Sequence, residues 1–122
     1  MNTKQFVSNL LEIAVEEKSE SINVCWTGKS IDRNPGKFIT PILASVLDKS
    51  VSGKKEIILD FRKLAYLNSS TITPIIKVLE RAKRGTIRVT ILYDKSLKWQ
   101  ELNFSALEIF ITEDKRVDIE GL

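Results

Sequence analysis

The amino-acid sequence predicts an α/β fold: a mixed sheet of four to five strands that opens with an N-terminal hairpin and carries helices packed on it. Three observations lead there. Two apolar alternations flank a short polar turn before residue 28, the continuous apolar run Ile57-Ile58-Leu59 is bounded by charges, and a strongly amphipathic stretch separates that run from a further alternation at 87–93. With 122 residues there is room for one core, so residues 1–122 are expected to form a single domain. The content of 43% hydrophobic and 29% charged residues suits an ordinary globular interior.

The elements follow in order. Leu11, Ile13 and Val15 alternate with Glu12, Ala14 and Glu16, the period of a half-buried strand, although Val7, Leu10, Leu11 and Ala14 also satisfy a helical period. Beyond the polar turn Glu16 to Ser21, the residues Ile22, Val24 and Trp26 alternate again, so the two segments should pair as a hairpin ending near Gly28. Phe38, Ile39, Ile42, Leu43, Val46 and Leu47 fall three and four apart, as in a helix lying on a sheet. Pro41 requires that this helix either start close to Phe38 or kink, because proline has no backbone donor. Lys49 to Lys55, with Gly53, reads as the exit loop.

Ile57-Ile58-Leu59 is expected to be a central strand of a parallel sheet, covered on both faces. A connection from Arg62 to Leu67 leads to Asn68-Ser69-Ser70-Thr71, the start of a helix whose core face is Ile72, Ile75, Ile76, Leu79 and Ala82 and whose stop is Gly85. Ile87, Val89, Ile91 and Tyr93 form the next strand, parallel to the Ile57 strand because a full helix intervenes. A third helix is placed at about Leu97 to Leu107 with Trp99, Leu102, Ala106 and Ile109 inward; Phe110, Ile111, Val117 and Ile119 supply a short final edge strand. Right-handed crossovers would put both larger helices on one face.

Composition narrows the chemistry. Histidine is absent, which removes Ser-His-Asp and Cys-His mechanisms, imidazole metal ligation and the usual general base near neutral pH. The carboxylates fall on expected turns, helix exteriors and the tail, and no GxxxxGK[ST] or GxGxxG run cradles a nucleotide, so the expectation is a non-enzyme without cofactor or metal. A net charge of +3, with basic residues spread along the chain, does not imply nucleic acid. The lone Cys25, between Val24 and Trp26, reads as a small buried hydrophobe. Met1 to Phe6 lacks the pattern of a secretory leader, and no apolar stretch reaches the roughly 18 residues of a membrane span, so a cytoplasmic protein is expected.

The remaining feature is Asn68-Ser69-Ser70-Thr71, between a strand and an amphipathic helix. Helix capping accounts for one or two of these four residues. A phosphoryl group on an exposed hydroxyl there would add about −1.5 to −2 charge where free N–H groups and the helix dipole tolerate it. Spacing leaves both readings open.

The order Ile57-Ile58-Leu59-Asp60, a short connection, Tyr66-Leu67-Asn68-Ser69-Ser70, an apolar helix to Gly85 and a strand resembles the anti-sigma-factor antagonists and the wider STAS superfamily. Asn34-Pro35-Gly36-Lys37-Phe38 with Pro41, then Tyr66 to Ser70, Val89 to Asp94 and Asn103-Phe104-Ser105 are similar in more detail to the SiaC-type biofilm-regulation phosphoproteins, which are STAS-like. Asn68 and Thr71 stand where the antagonists carry Asp and Gly, and Lys95-Ser96-Leu97-Lys98 replaces an acidic run of the SiaC type.

The resemblance implies a STAS-like fold and partner switching. In the scheme it implies, a regulator would bind the unphosphorylated surface and phosphorylation of Ser69 would release it. It implies Asn68, Ser70, Thr71, Asp60 and Arg62 as partner-binding residues, with Thr71 a second acceptor and Arg62 and Lys63 contacts for phosphate. The implied partners are a serine/threonine kinase of the anti-sigma type, a PP2C-type phosphatase and a downstream regulator. The competing reading is a domain that senses a small anion or nucleotide at the same strand ends.

Overall fold

A computed structural model of the chain describes residues 2–122. Seven strands form one mixed sheet: β1 (Asn2–Ser8), β2 (Leu11–Glu17), β3 (Ser21–Ser30), β4 (Glu56–Asp60), β5 (Leu64–Leu67), β6 (Val89–Tyr93) and β7 (Val117–Gly121). The helices are α1 (Gly36–Gly53), α2 (Ser69–Arg84) and α3 (Lys98–Ser105), the last continued by a 3-10 turn over Ala106–Phe110. Strand order is β1-β2-β3-β4-β6-β7, with β5 paired to the end of β3. The first two pairings are antiparallel and the others parallel.

The expected hairpin is β2–β3, with Ile13 opposite Trp26 and Val15 opposite Val24. Two strands exceed the expected four to five. β1 is an exposed edge strand of mostly polar residues and so lacks an apolar alternation; it turns into β2 through Asn9 and Leu10, with Asn9 at φ 53. β5 lies inside the expected connection after Arg62, and its short pairing with Gly28–Ser30 comes entirely from a distant strand.

All buried strand positions share one face. Ile22, Ile57, Val89 and Val117 lie in register across four strands, as do Val24, Leu59, Ile91 and Ile119 one step on. The helices cover this face, and α1 and α2 touch each other over it. Coverage of β4 on both faces is therefore corrected: Ile58 and its neighbours Ala14, Cys25, Thr90 and Leu92 are half-exposed on the far side. The sheet is open there because every crossover passes on the same side. Cys25 alternates outward with them and is no core residue.

α1 begins at Gly36 and runs through the expected exit loop to Gly53, ended by Lys54 in the left-handed conformation at φ 54. Pro41 is thus its sixth residue, and the Lys37 carbonyl, on an exposed residue, loses its helical donor to the ring nitrogen. α2 matches the expected span and buries Ile75, Val78, Leu79 and Ala82, with Ile72 and Ile76 packed at the margin. Its last turn is held by Arg116 beside β7, whose guanidinium donates to the carbonyls of Ala82, Lys83 (3.1 Å) and Ile87 (3.0 Å).

α3 is rotated from the expected phase. Gln100, Phe104 and Leu107 face inward, whereas Leu102 is 67% and Ile109 76% exposed, Ala106 is exposed, and Trp99 is only partly covered. Aromatic packing decides this: Phe104 stacks on Phe61 at 4.7 Å and lies 5.8 Å from Tyr93. Gln100 also donates to the Phe61 and Leu64 carbonyls at 2.7 and 3.0 Å and accepts from the Asp94 N–H. The final edge strand is present as β7, but Phe110 and Ile111 precede it in the 3-10 turn and its exit.

Candidate functional site

The parallel strands deliver the chain to one end of the sheet, and there β5 hands over to α2. Leu67 is anchored beside Ser30 by the β3–β5 pairing, and Asn68 N–H donates to the Ser30 carbonyl at 3.0 Å. Asn68 is the N-cap. Its Oδ1 accepts from the Thr71 N–H at 3.1 Å and from the Thr71 hydroxyl at 2.7 Å, which satisfies a helix donor that would otherwise lack a partner. Its amide nitrogen donates to the Asp32 carbonyl at 2.8 Å, and Asp32 Oδ1 accepts from Asn9 at 2.8 Å. The Asn68 side chain is therefore pinned at both ends.

Thr71 is fully buried, with its hydroxyl shared between Asn68 and Ser30 Oγ. Neither a kinase nor a partner reaches it in this state, which corrects its place among surface contacts and as a second acceptor. Ser69 and Ser70, the first two helical residues, are exposed, and neither hydroxyl makes a side-chain hydrogen bond among the described residues. A buried, hydrogen-bonded turn thus holds two accessible hydroxyls at the start of α2.

Asp60 and Arg62 form a separate group at the end of β4. Arg62 donates to Asp60 from its backbone N–H at 3.1 Å, from Nε at 3.0 Å and from Nη2 at 2.8 Å. Burial pushes the Asp60 carboxyl up, but these Arg62 hydrogen bonds and charge outweigh it and hold the group below the usual carboxylate range. Asp60 lies beside Cys25 on the open face, where burial first and the Asp60 charge second push the thiol up. No hydrogen bond or ion pair among the described residues joins this pair to Asn68–Thr71. Arg62 is occupied by its own carboxylate, while Lys63 is exposed.

A cleft of about 300 Å³ runs past Ser70, lined also by Arg33, Asn34, Gly36, Thr73 and Lys77 among others. Sequence reasoning missed Ser30, Asp32, Arg33 and Lys77, because each joins the site through the fold and not through a local pattern. Among the described residues there is no group of three or more His, Cys, Asp or Glu side chains placed to hold a metal. None of the described helices is long and apolar enough to cross a membrane.

No family model matches the chain, and no curated protein matches it. Among solved structures, the chain is similar to an uncharacterized protein of the DUF3478 family from Shewanella loihica PV-4, described as having a SpoIIAA-like fold. The two are 18% identical over 96% of this chain and 90% of that one, with a TM-score of 0.53. This chain has a SpoIIAA-like fold. The likeness spans nearly the full length of both chains. This fold agrees with the STAS-like mixed α/β sheet expected from the sequence, with seven strands in place of four to five. An outline at this identity speaks for the fold alone.

Proposed function

We propose that this chain is a non-enzymatic STAS-type regulatory domain that works by partner switching, with the Ser69 hydroxyl as the modified atom. A regulator binds the first turn of α2 while Ser69 is unmodified and leaves when it is phosphorylated. The observation that carries this reading is the pairing of an exposed Ser69 with an N-cap locked by Asn68, Thr71 and Ser30. Docking on that turn would cover Ser69. A phosphoryl group of about −1.5 to −2 charge could then be buried only with partners to compensate it, and a surface made for a hydroxyl supplies none. The free domain tolerates the same group, because it would sit at a helix N-terminus in water.

The motif likeness to SiaC-type phosphoproteins and to anti-sigma-factor antagonists supports a serine/threonine kinase of the anti-sigma type and a PP2C-type phosphatase as partners. Asn68 positions the acceptor, Ser70 borders it, and Asp60 with Arg62 forms a second, more distant contact. The test is the intact mass after incubation with such a kinase, followed by binding to its regulator. Ser69→Ala is expected to bind and Ser69→Asp to bind more weakly; equal affinities of the two variants overturn the reading.

A small-anion or nucleotide sensor is the second reading, favoured by the cleft beside Ser70 with Arg33 and Lys77 on its wall. Saturable nucleotide binding lost on Lys77→Ala would select it.

A further inference from the structure

The cleft beside Ser70 does not end there. A second depression of about 170 Å³ lies between α1 and α2, lined by Leu43, Ala44, Leu47, Val78 and Arg81, and it shares Thr40, Pro74 and Lys77 with the first. The two form one channel along the helix pair, apolar on its floor and bordered in turn by Arg33, Lys77 and Arg81. Lys77 and Arg81 are one turn apart on α2, about 6 Å along its axis. None of the three cations has a carboxylate within 4.0 Å among the described residues, and neither acidic residue of the two helices, Asp48 or Glu80, lines the channel.

From this charge pattern we infer that the α1–α2 channel is a docking groove for an acidic segment of a protein partner. One apolar side chain would sit against Leu43, Ala44 and Val78, and flanking carboxylates would meet Arg33, Lys77 and Arg81. Several features favour a peptide over other anionic partners. No aromatic residue lines the channel to stack a base. Its apolar groups Leu43, Leu47 and Val78 are recessed and do not project as membrane insertion requires. Of the chain's own acidic residues, Glu12, Glu16, Asp60 and Asp118 lie on the open face of the sheet, too flat to enter a groove. The inference rests on the partner-binding reading in taking the partner to be a protein, since the groove begins where the Ser69 turn ends.

The experiment is selection of a random dodecapeptide display library on the immobilised full chain, with the best peptide then titrated in solution. Enrichment of net-acidic sequences containing a large apolar residue is expected. Affinity should fall about tenfold or more in Lys77→Glu/Arg81→Glu, and amide shifts should centre on Thr40, Ala44, Lys77 and Val78. Should the reversed variant unfold, Lys77→Ala/Arg81→Ala replaces it. Enrichment without acidic bias, unchanged affinity in the variants or shifts elsewhere overturns the inference. So does tighter binding of an RNA oligonucleotide, phosphatidylserine vesicles or inorganic phosphate through the same two residues, or self-association of the chain through them. The selection needs no kinase and is repeated on Ser69→Ala, so its failure is read separately from failure of the switch.

Discussion

Ser30 Oγ lies 2.7 Å from Thr71 Oγ1 with both side chains buried, joining the last residue of β3 to the first turn of α2 across 41 residues of sequence. Through Thr71 the bond continues to the Asn68 cap, so one short polar chain holds the turn that carries Ser69. Thr71→Val is expected to cost roughly 1–3 kcal/mol, because it leaves Ser30 and Asn68 short of a buried partner. Adding Ser30→Ala should cost less than the sum of the two single changes. Urea denaturation of the four proteins checks this; strict additivity would mean that the two hydroxyls do not interact.

Gly28 stands at a register shift in the β3–β5 pairing, at φ +86, and a Cβ there would be 1.9 Å from the Leu10 carbonyl oxygen. That oxygen accepts the Lys29 N–H at 2.9 Å, so it cannot retreat without breaking the turn. Gly28→Ala is expected to destabilise the fold by more than about 2 kcal/mol, combining backbone strain with a steric clash. A melting temperature within a degree or two of the parent would contradict the geometry.

The phase of α3 is tested by two truncations on the same helix. Phe104→Ala should cost roughly 3–5 kcal/mol, as it removes a buried ring stacked on Phe61. Leu102→Ala, at an exposed position, should stay within about 0.5 kcal/mol of the parent. The reverse ranking in chemical denaturation would place the helix in the phase expected from its spacing.

Asp60 titrates below the usual carboxylate range because Arg62 hydrogen-bonds its charged form against the opposing effect of burial. A folded-state value below the unfolded one contributes stability above the unfolded pKa, and that stability is lost as pH falls through the folded value. Asp60→Asn should therefore flatten the loss of stability below about pH 4. It should also speed alkylation of Cys25, whose thiol the Asp60 charge helps to push up. An unchanged acid limb in pH-dependent urea unfolding, together with an unchanged alkylation rate, would show that the pair carries neither effect.

Where apolar residues repeat at a fixed period, the elements could be read directly. The β2–β3 hairpin, the β6 strand and the whole of α2 announce themselves this way and β4 by its unbroken apolar run, and the cap at Asn68 is a local hydrogen-bonding preference that needs only neighbours in sequence. The Ser69 turn was legible for the same reason. β1 and β5 were not, since an exposed edge strand and a four-residue strand gain their order from the strand beside them. The α3 phase was also hidden, because Phe61 and Tyr93 choose Phe104 over the equally apolar Leu102 only once the sheet exists.

By itself, then, the sequence determined the α/β alternation and an accessible hydroxyl at a helix start, because periodicity and capping act within a few residues. Tertiary structure alone decided that Thr71 is sealed inward against Ser30 and that Arg33 joins Lys77 and Arg81 along one channel. Those outcomes depend on side chains brought together across dozens of residues, where burial and hydrogen bonding are shared among elements and no local pattern records them.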